Sequence, residues 1–323
     1  MRQLNIFRRK NQQNETTQQE AALLNLPYFE KLAEEYEAVI HIGVPGTGSA
    51  AIQKLLFDNH SRLAQSGFYY PASTQNNIQI WHRQSKLGSY IEKNDLAAAK
   101  LLFDNYLATA KKNNLTLLLS EKSLYAYPDR FEEVTSGKKC KILAFFRDPL
   151  DALFSNYNYA VKHDFVTTTF NQFCQEVVNS NNDRLTGKIF EQWQQLYSKK
   201  NLLALKYDQS LFGLITLEML FLAALGIDKS LFNTFKYTQE KINPSLSFAA
   251  VELRRLLNFV IDKELFYYNH NIDWLLQNYS GQSGKFALSE YIPEELYIAL
   301  QDKFKETNDY LMDEILTHLN SNF

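Results

Sequence analysis

Apolar positions along this chain fall into two patterns. Short continuous runs, "AVIHIG" at 38–43, "LTLLLS" at 115–120, "CKILAFF" at 140–146 and "NLLALKY" at 201–207, have the length and composition of strands buried on both faces. After the first run, "AIQKLLFDNHSRLA" carries apolar residues at helical spacing, and the gaps between the later runs are long enough for helices. Before it, "YFEKLAEEYE" is built of helix-forming residues. From 245 onward the pattern is helical, in "SLSFAAVELRRLLNFVID" and "IPEELYIALQDKFKETNDYLMDEILTHL". This alternation predicts an α/β fold: a parallel sheet with helices on both faces and a helical C-terminal part. Such sheets bind ligands outside the carboxyl ends of their strands, so function is expected in 43–50, 120–128, 147–160 and 207–212.

Composition narrows the picture. At 323 residues with 45% hydrophobic, the chain can bury a sizeable core, and no repeat or linker divides residues 27–323, which read as one domain. Residues 1–26 read as a polar, Gln/Asn-rich leader that cannot pack a core of its own. That leader has Arg8, Arg9 and Lys10 beside Phe7 but no apolar stretch of the secretory kind, so a cytoplasmic location is expected, with the tail solvated rather than on a membrane surface. The longest apolar run, 211–227, is interrupted by Glu218 and reads as a core helix, too short to span a bilayer. Lys+Arg number 34 against 36 Asp+Glu, which leaves no global positive field to hold nucleic acid; any anion site must be local. Cys140 and Cys174 have no ligand partners at metal spacing and read as buried thiols, so no metal is expected.

Candidate chemistry begins in "IHIGVPGTGSAAIQ". Gly43, Gly48 and the small residues between them allow a tight turn that aims backbone N–H groups at an anion, with a helix N-terminus behind it. The nucleoside-triphosphatase loop needs Gly-Lys-Ser/Thr after four spacers, whereas here Gly48 is followed by Ser49 and Ala50, so a kinase or ATPase reading fails. Taken alone, the loop is equally a glycine turn without a ligand. A second segment, "AFFRDPLDALFSNYNYAVKH", places Arg147 at a strand end and Ser155 eight residues later on a helix, a pair suited to clamping one phosphate.

At these residues the sequence resembles the sulfotransferases that use 3'-phosphoadenosine 5'-phosphosulfate (PAPS). Pro45, Thr47, Gly48 and Ser49 match that family's first loop, and Arg147 with Ser155 matches its second motif. "FYYPAS" followed by His82, "NLLALKYDQS", "FLAALGID", "NPSLSFAAVELRRLLN" and "KFKETNDYLMDEIL" are similar, in this order, to segments of bacterial carbohydrate-type members, a likeness spanning about residues 38–315. The resemblance implies a P-loop-like sulfotransferase architecture and PAPS as donor. It implies that Pro45, Gly46, Thr47, Gly48, Ser49 and Ala50 bind the 5'-phosphosulfate, and Arg147 and Ser155 the 3'-phosphate. The acceptor it implies is a glycan, a glycolipid or another small hydroxylated molecule.

The chain departs from the family where it matters most. Gly46 stands where the loop lysine reaches the leaving oxygen, and Ala50 stands where a second hydroxyl is usual. Lys122, just after the strand 115–120, belongs to the same sheet edge and is the substitute cation to test; Lys54 is about two turns into the first helix. Glu121 sits in "LLLSEKSLYAYPDRF", and this Glu-Lys-Ser is similar to the Glu-Lys-Ser/Thr of heparan-type N- and 3-O-sulfotransferases, whose glutamate is the base. Glu121 is therefore the expected base, set against a structural glutamate that caps the next turn, and His82 is its rival. Trp81, Tyr125, Tyr127, Tyr157 and Tyr159 flank these segments as sugar-stacking candidates or simple packing residues. Two functions stand against each other: sulfuryl transfer from PAPS, and a degenerate relative that binds nucleotide or glycan without turnover.

Overall fold

The structure is a computed structural model that describes residues 29–71, 85–180, 187–207, 215–238, 245–279, 286–311 and 316–317. His82, Trp81 and the leader at 1–26 lie outside the described residues. The chain divides into two compact units; the first takes the residues up to Phe146, Gln192–Glu240 and Leu316 onward, and the second takes Arg147–Glu191 and Lys241–Ile315.

The first unit is a parallel sheet whose strands lie in the order β2 (Phe68–Tyr69), β3 (Thr116–Ser120), β1 (Ala38–His41), β4 (Cys140–Phe146), β5 (Leu202–Lys206) and β6 (Leu316–Thr317). Strand β1 (Ala38–His41) is buried at every position, as a strand covered on both faces must be. It lies between β3 (Thr116–Ser120) and β4 (Cys140–Phe146), with Val39 opposite Leu118 and Lys141, and His41 opposite Ser120 and Leu143. Strand β2 (Phe68–Tyr69) pairs with the far side of β3, and β5 (Leu202–Lys206) with the far side of β4. Because the chain goes from β1 to one side and later crosses to the other, the carboxyl end of β1 is a topological switch point, where a ligand crevice is expected. Helices α1 (Ser49–Asp58) and α2 (Ser85–Glu92) follow β1 and β2. Later in the chain, α4 (Leu217–Ala224) packs Phe221 and Leu222 into a core with Val39, Ile52, Leu56, Leu118 and Leu143.

In the second unit, α3 (Pro149–His163) opens with Asp148 accepting from the Leu150 N–H at 2.8 Å and Pro149 in the first turn, both strong helix starters. Leu153, Tyr157 and Val161 on one face of α3 meet Phe170, Cys174, Val251 and Leu300 from the helices Phe170–Asn179, Phe248–Leu257 and Glu294–Tyr310. Arg254 is fully buried there. Its guanidinium is bonded to Asp273 at 2.7 Å, to Asn269 at 3.0 Å and to Asn258, which is what allows a charge to sit in a core.

The four strands read from apolar runs appear within two residues of their expected limits, and both cysteines are free and buried. Two segments differ. Residues 29–37 are turns rather than a helix, because their amides are taken by distant partners: Leu32 N–H donates to the Leu225 carbonyl and Glu34 N–H to Thr116 Oγ1. Leu316–Thr317, inside a segment of helical pattern, pairs as edge strand β6 with Ala204 and Leu205 of β5. Two residues carry no period of their own, so the free strand edge decides. Among the described residues, no helix is long and apolar enough to cross a membrane; of the run 211–227, residues 217–224 form α4.

Candidate functional site

The loop after β1 is held by the strand beside it. Val44 N–H donates to the Phe145 carbonyl at 3.1 Å, and Phe145 N–H returns to the Gly43 carbonyl at 2.7 Å. Thr47 is buried and folds its hydroxyl back on the Val44 carbonyl at 2.7 Å, which tightens the turn; Pro45 and Gly46 are its exposed tip. Gly48 then starts α1 with φ 78°, and a Cβ there would lie 2.4 Å from Leu217 Cδ2 of α4, so both conformation and space demand glycine. The first bond of α1 runs from Ala51 N–H to the Gly48 carbonyl at 2.9 Å, which leaves the Ser49 and Ala50 amides without a partner inside the helix. Ser49 Oγ is buried and has no hydrogen-bond partner among the described residues. A buried hydroxyl beside amides that the helix does not use, at a helix N-terminus free of acidic residues, suits an anion.

The adjacent strand end carries the carboxylate. Glu121 N–H donates to the His41 carbonyl at 2.9 Å, and the preceding Ser120 carbonyl accepts from Gln53 Nε2 of α1 at 2.9 Å. The Glu121 side chain is 6% exposed, and its Oε1 accepts from the Ser123 N–H at 3.0 Å and the Ser123 hydroxyl at 2.9 Å. Burial raises its carboxyl above the ordinary carboxylate range, while the two Ser123 bonds and the Lys122 charge pull it down and Glu92 adds to the rise. Burial first, and the Glu121 charge second, push the Tyr70 phenol up as well. Lys122 is exposed, and its Cα and Cβ pack on Gly43, where an added Cβ would sit 3.5 Å and 3.3 Å from them. The stem of this lysine thus rises directly against the first glycine of the loop.

Other candidates fall elsewhere. Lys54 is engaged with Asp58 at 2.6 Å, one turn further along α1. Tyr125 and Tyr157 are buried packing residues, Tyr157 donating to Glu252 at 2.5 Å, whereas Tyr127 lies under Arg130 and Tyr159 is exposed beside His163. In the second unit, Arg147 directly follows β4 and Ser155 lies on α3; both are half-buried. Three contributors escaped the sequence reading. His41 Nδ1 lies 2.8 Å from Ser120 Oγ, and burial pushes its pKa down to about 3, so it is a neutral support beneath the loop. Gln53 and Gly88 also act only through the folded contact, and a lone Gln and a lone Gly in helical sequence give no signal of it.

The model of the sulfotransferase domain family matches residues 37–210, more than half of the chain. Among solved structures, a sulfotransferase from Alicyclobacillus acidocaldarius matches at 13% identity with a TM-score of 0.41, over 71% of this chain and 98% of its own. No curated protein matches.

Proposed function

This chain belongs to the sulfotransferase domain family, and from that premise we propose that it transfers a sulfuryl group from PAPS to a hydroxyl or amine of a glycan or glycolipid, with Glu121 as base. The observation that carries the proposal is the pairing, at neighbouring strand ends, of a glycine loop leading into a helix start and a buried carboxylate, with Lys122 packed on Gly43 between them. The residues present fit the 5'-phosphate end of the donor: the Ser49 hydroxyl is buried without a partner among the described residues, and the amides at the start of α1 have none within the helix. The donor supplies an activated sulfuryl group on a phosphate leaving group. Glu121 takes the acceptor's proton as the acceptor oxygen or nitrogen bonds to sulfur and the sulfur–oxygen bond to the phosphate breaks. Lys122 and the loop amides hold the negative charge that this leaves on the phosphate oxygen. Arg147 and Ser155 are assigned the 3'-phosphate.

One observation favours the second reading, a binding protein without turnover. Gly46, at the position of the family lysine, is an exposed residue with φ 87°, so no ammonium reaches out from the loop itself. The transferase reading requires the nucleotide, whereas the second is met by nucleotide or by glycan. Calorimetric titration with 3'-phosphoadenosine 5'-phosphate is expected to show one saturable site, and Arg147→Ala to weaken it by about 1.5–3 kcal/mol, the worth of a hydrogen bond to a charged group. Equal affinity of wild type and Arg147→Ala would remove the 3'-phosphate assignment.

A further inference from the structure

Helix α2 has a glycine in its interior, a residue that costs a helix about 1 kcal/mol relative to alanine. The fold gives the reason. An added Cβ on Gly88 would lie 2.2 Å from Ser123 Oγ, and 2.9 Å and 3.0 Å from Cδ and Cγ of Glu121. The backbone of α2 therefore lies directly against this serine and this glutamate, and no side chain fits between them.

Among the described residues, the hydrogen bonds to the Glu121 carboxylate are one-sided: both come from Ser123, one from its amide and one from its hydroxyl, and both end on Oε1. A carboxylate has about four lone-pair sites, and holding one oxygen twice fixes the plane of the group and turns the second oxygen in a single direction. In a site where a misplacement of about 1 Å can cost 10²-fold in rate, that constraint matters for proton transfer.

We propose that Ser123 is the positioning residue of the base: its amide and hydroxyl pin Oε1 of Glu121, Oε2 is the oxygen that takes the acceptor's proton, and Gly88 supplies the space in which the pair is held. The inference rests on the reading of Glu121 as base. It assigns Ser123 no contact with substrate; the serine acts through the carboxylate.

The test reads the carboxylate itself. In full-length protein labelled with ¹³C at glutamate side-chain carboxyls, the resonance missing from Glu121→Gln identifies Glu121, and its titration is followed by NMR. Ser123→Ala removes the hydroxyl and keeps the amide, so the Glu121 titration is expected to move to higher pH, because a bond that favoured the ionised form is gone. Ser123→Thr, which keeps the hydroxyl, is expected to bring it back. Gly88→Ala is expected to disturb the same resonance although it improves helix propensity. A Glu121 titration identical in wild type, Ser123→Ala and Gly88→Ala overturns the positioning role. Transfer of radiolabelled sulfate from PAPS to a glucosamine oligosaccharide separates the role of Ser123 from that of Glu121. Ser123→Ala is expected to lower kcat about 10–100-fold, with the acidic limb of the kcat/KM profile moved to higher pH and Ser123→Thr restoring both. Loss of transfer in Glu121→Gln with full kcat and an unmoved limb in Ser123→Ala overturns the inference alone. Unchanged transfer in Glu121→Gln removes the base reading and the positioning role with it.

Discussion

Glu121→Gln is expected to slow sulfuryl transfer about 10²–10⁴-fold while nucleotide affinity stays nearly unchanged, the signature of general-base help lost from a site that otherwise binds normally. The substitution separates catalysis from folding. The Glu121 carboxyl is raised by burial, so its ionised form is the one the fold disfavours, and an isosteric amide keeps an oxygen for the Ser123 amide and hydroxyl. Thermal unfolding of the variant should therefore match wild type or better it. The same shift sets the pH dependence. A base must be ionised, its pKa lies above the ordinary carboxylate value, and activity is lost as pH falls through that raised pKa. The acidic limb of kcat/KM should thus appear at higher pH than an exposed glutamate would give, and Glu121→Gln should abolish it. A Glu121→Gln enzyme with wild-type turnover and an intact acidic limb would shift the base to another residue.

Lys122→Ala is expected to cost about 10²–10³ in turnover, the usual worth of one donor aimed at a developing oxyanion. The tip of the loop carries no ammonium: Gly46 is exposed there, at φ 87°. Lys122 is a cation whose Cα and Cβ lie against the loop, at Gly43, and Lys54 pairs with Asp58 one turn along α1. If Lys122 carries the leaving-group charge, Gly46→Lys adds little, because a second ammonium would compete for the same oxygen. It also carries the strain of a side chain in the left-handed region, about 1–2 kcal/mol, which a Gly46→Ala control measures separately. A Lys122→Ala enzyme as fast as wild type, together with a Gly46→Lys enzyme about 10²-fold faster, would show that the lost lysine has no substitute.

How far the sequence revealed the molecule depended on whether a feature is local. Strands β1, β3, β4 and β5 are buried on both faces, so continuous apolar runs mark them directly. The positions of the glycine loop and the Glu-Lys-Ser stretch were legible for a related reason: each is a run of consecutive residues directly after a strand. What escaped were features created by pairing across the fold. The two-residue strands Phe68–Tyr69 and Leu316–Thr317 exist because a sheet edge is available, and residues 29–37 forgo a helix because Leu225 and Thr116 take their amides. Gly88 looks like an ordinary weak point of a helix until Glu121 and Ser123 are seen against it. His41, Ser120 and Gln53 are separated by up to 79 positions and meet only beneath the loop.

Incubating the protein with radiolabelled PAPS and a panel of glycans bearing free hydroxyls and amines asks whether the site turns over. Label is expected in at least one glycan with wild type and at background with Glu121→Gln. Saturable binding of 3'-phosphoadenosine 5'-phosphate, with no label in any glycan from wild type or from Gly46→Lys, would contradict the enzyme and leave a protein that binds the nucleotide without transferring its sulfate.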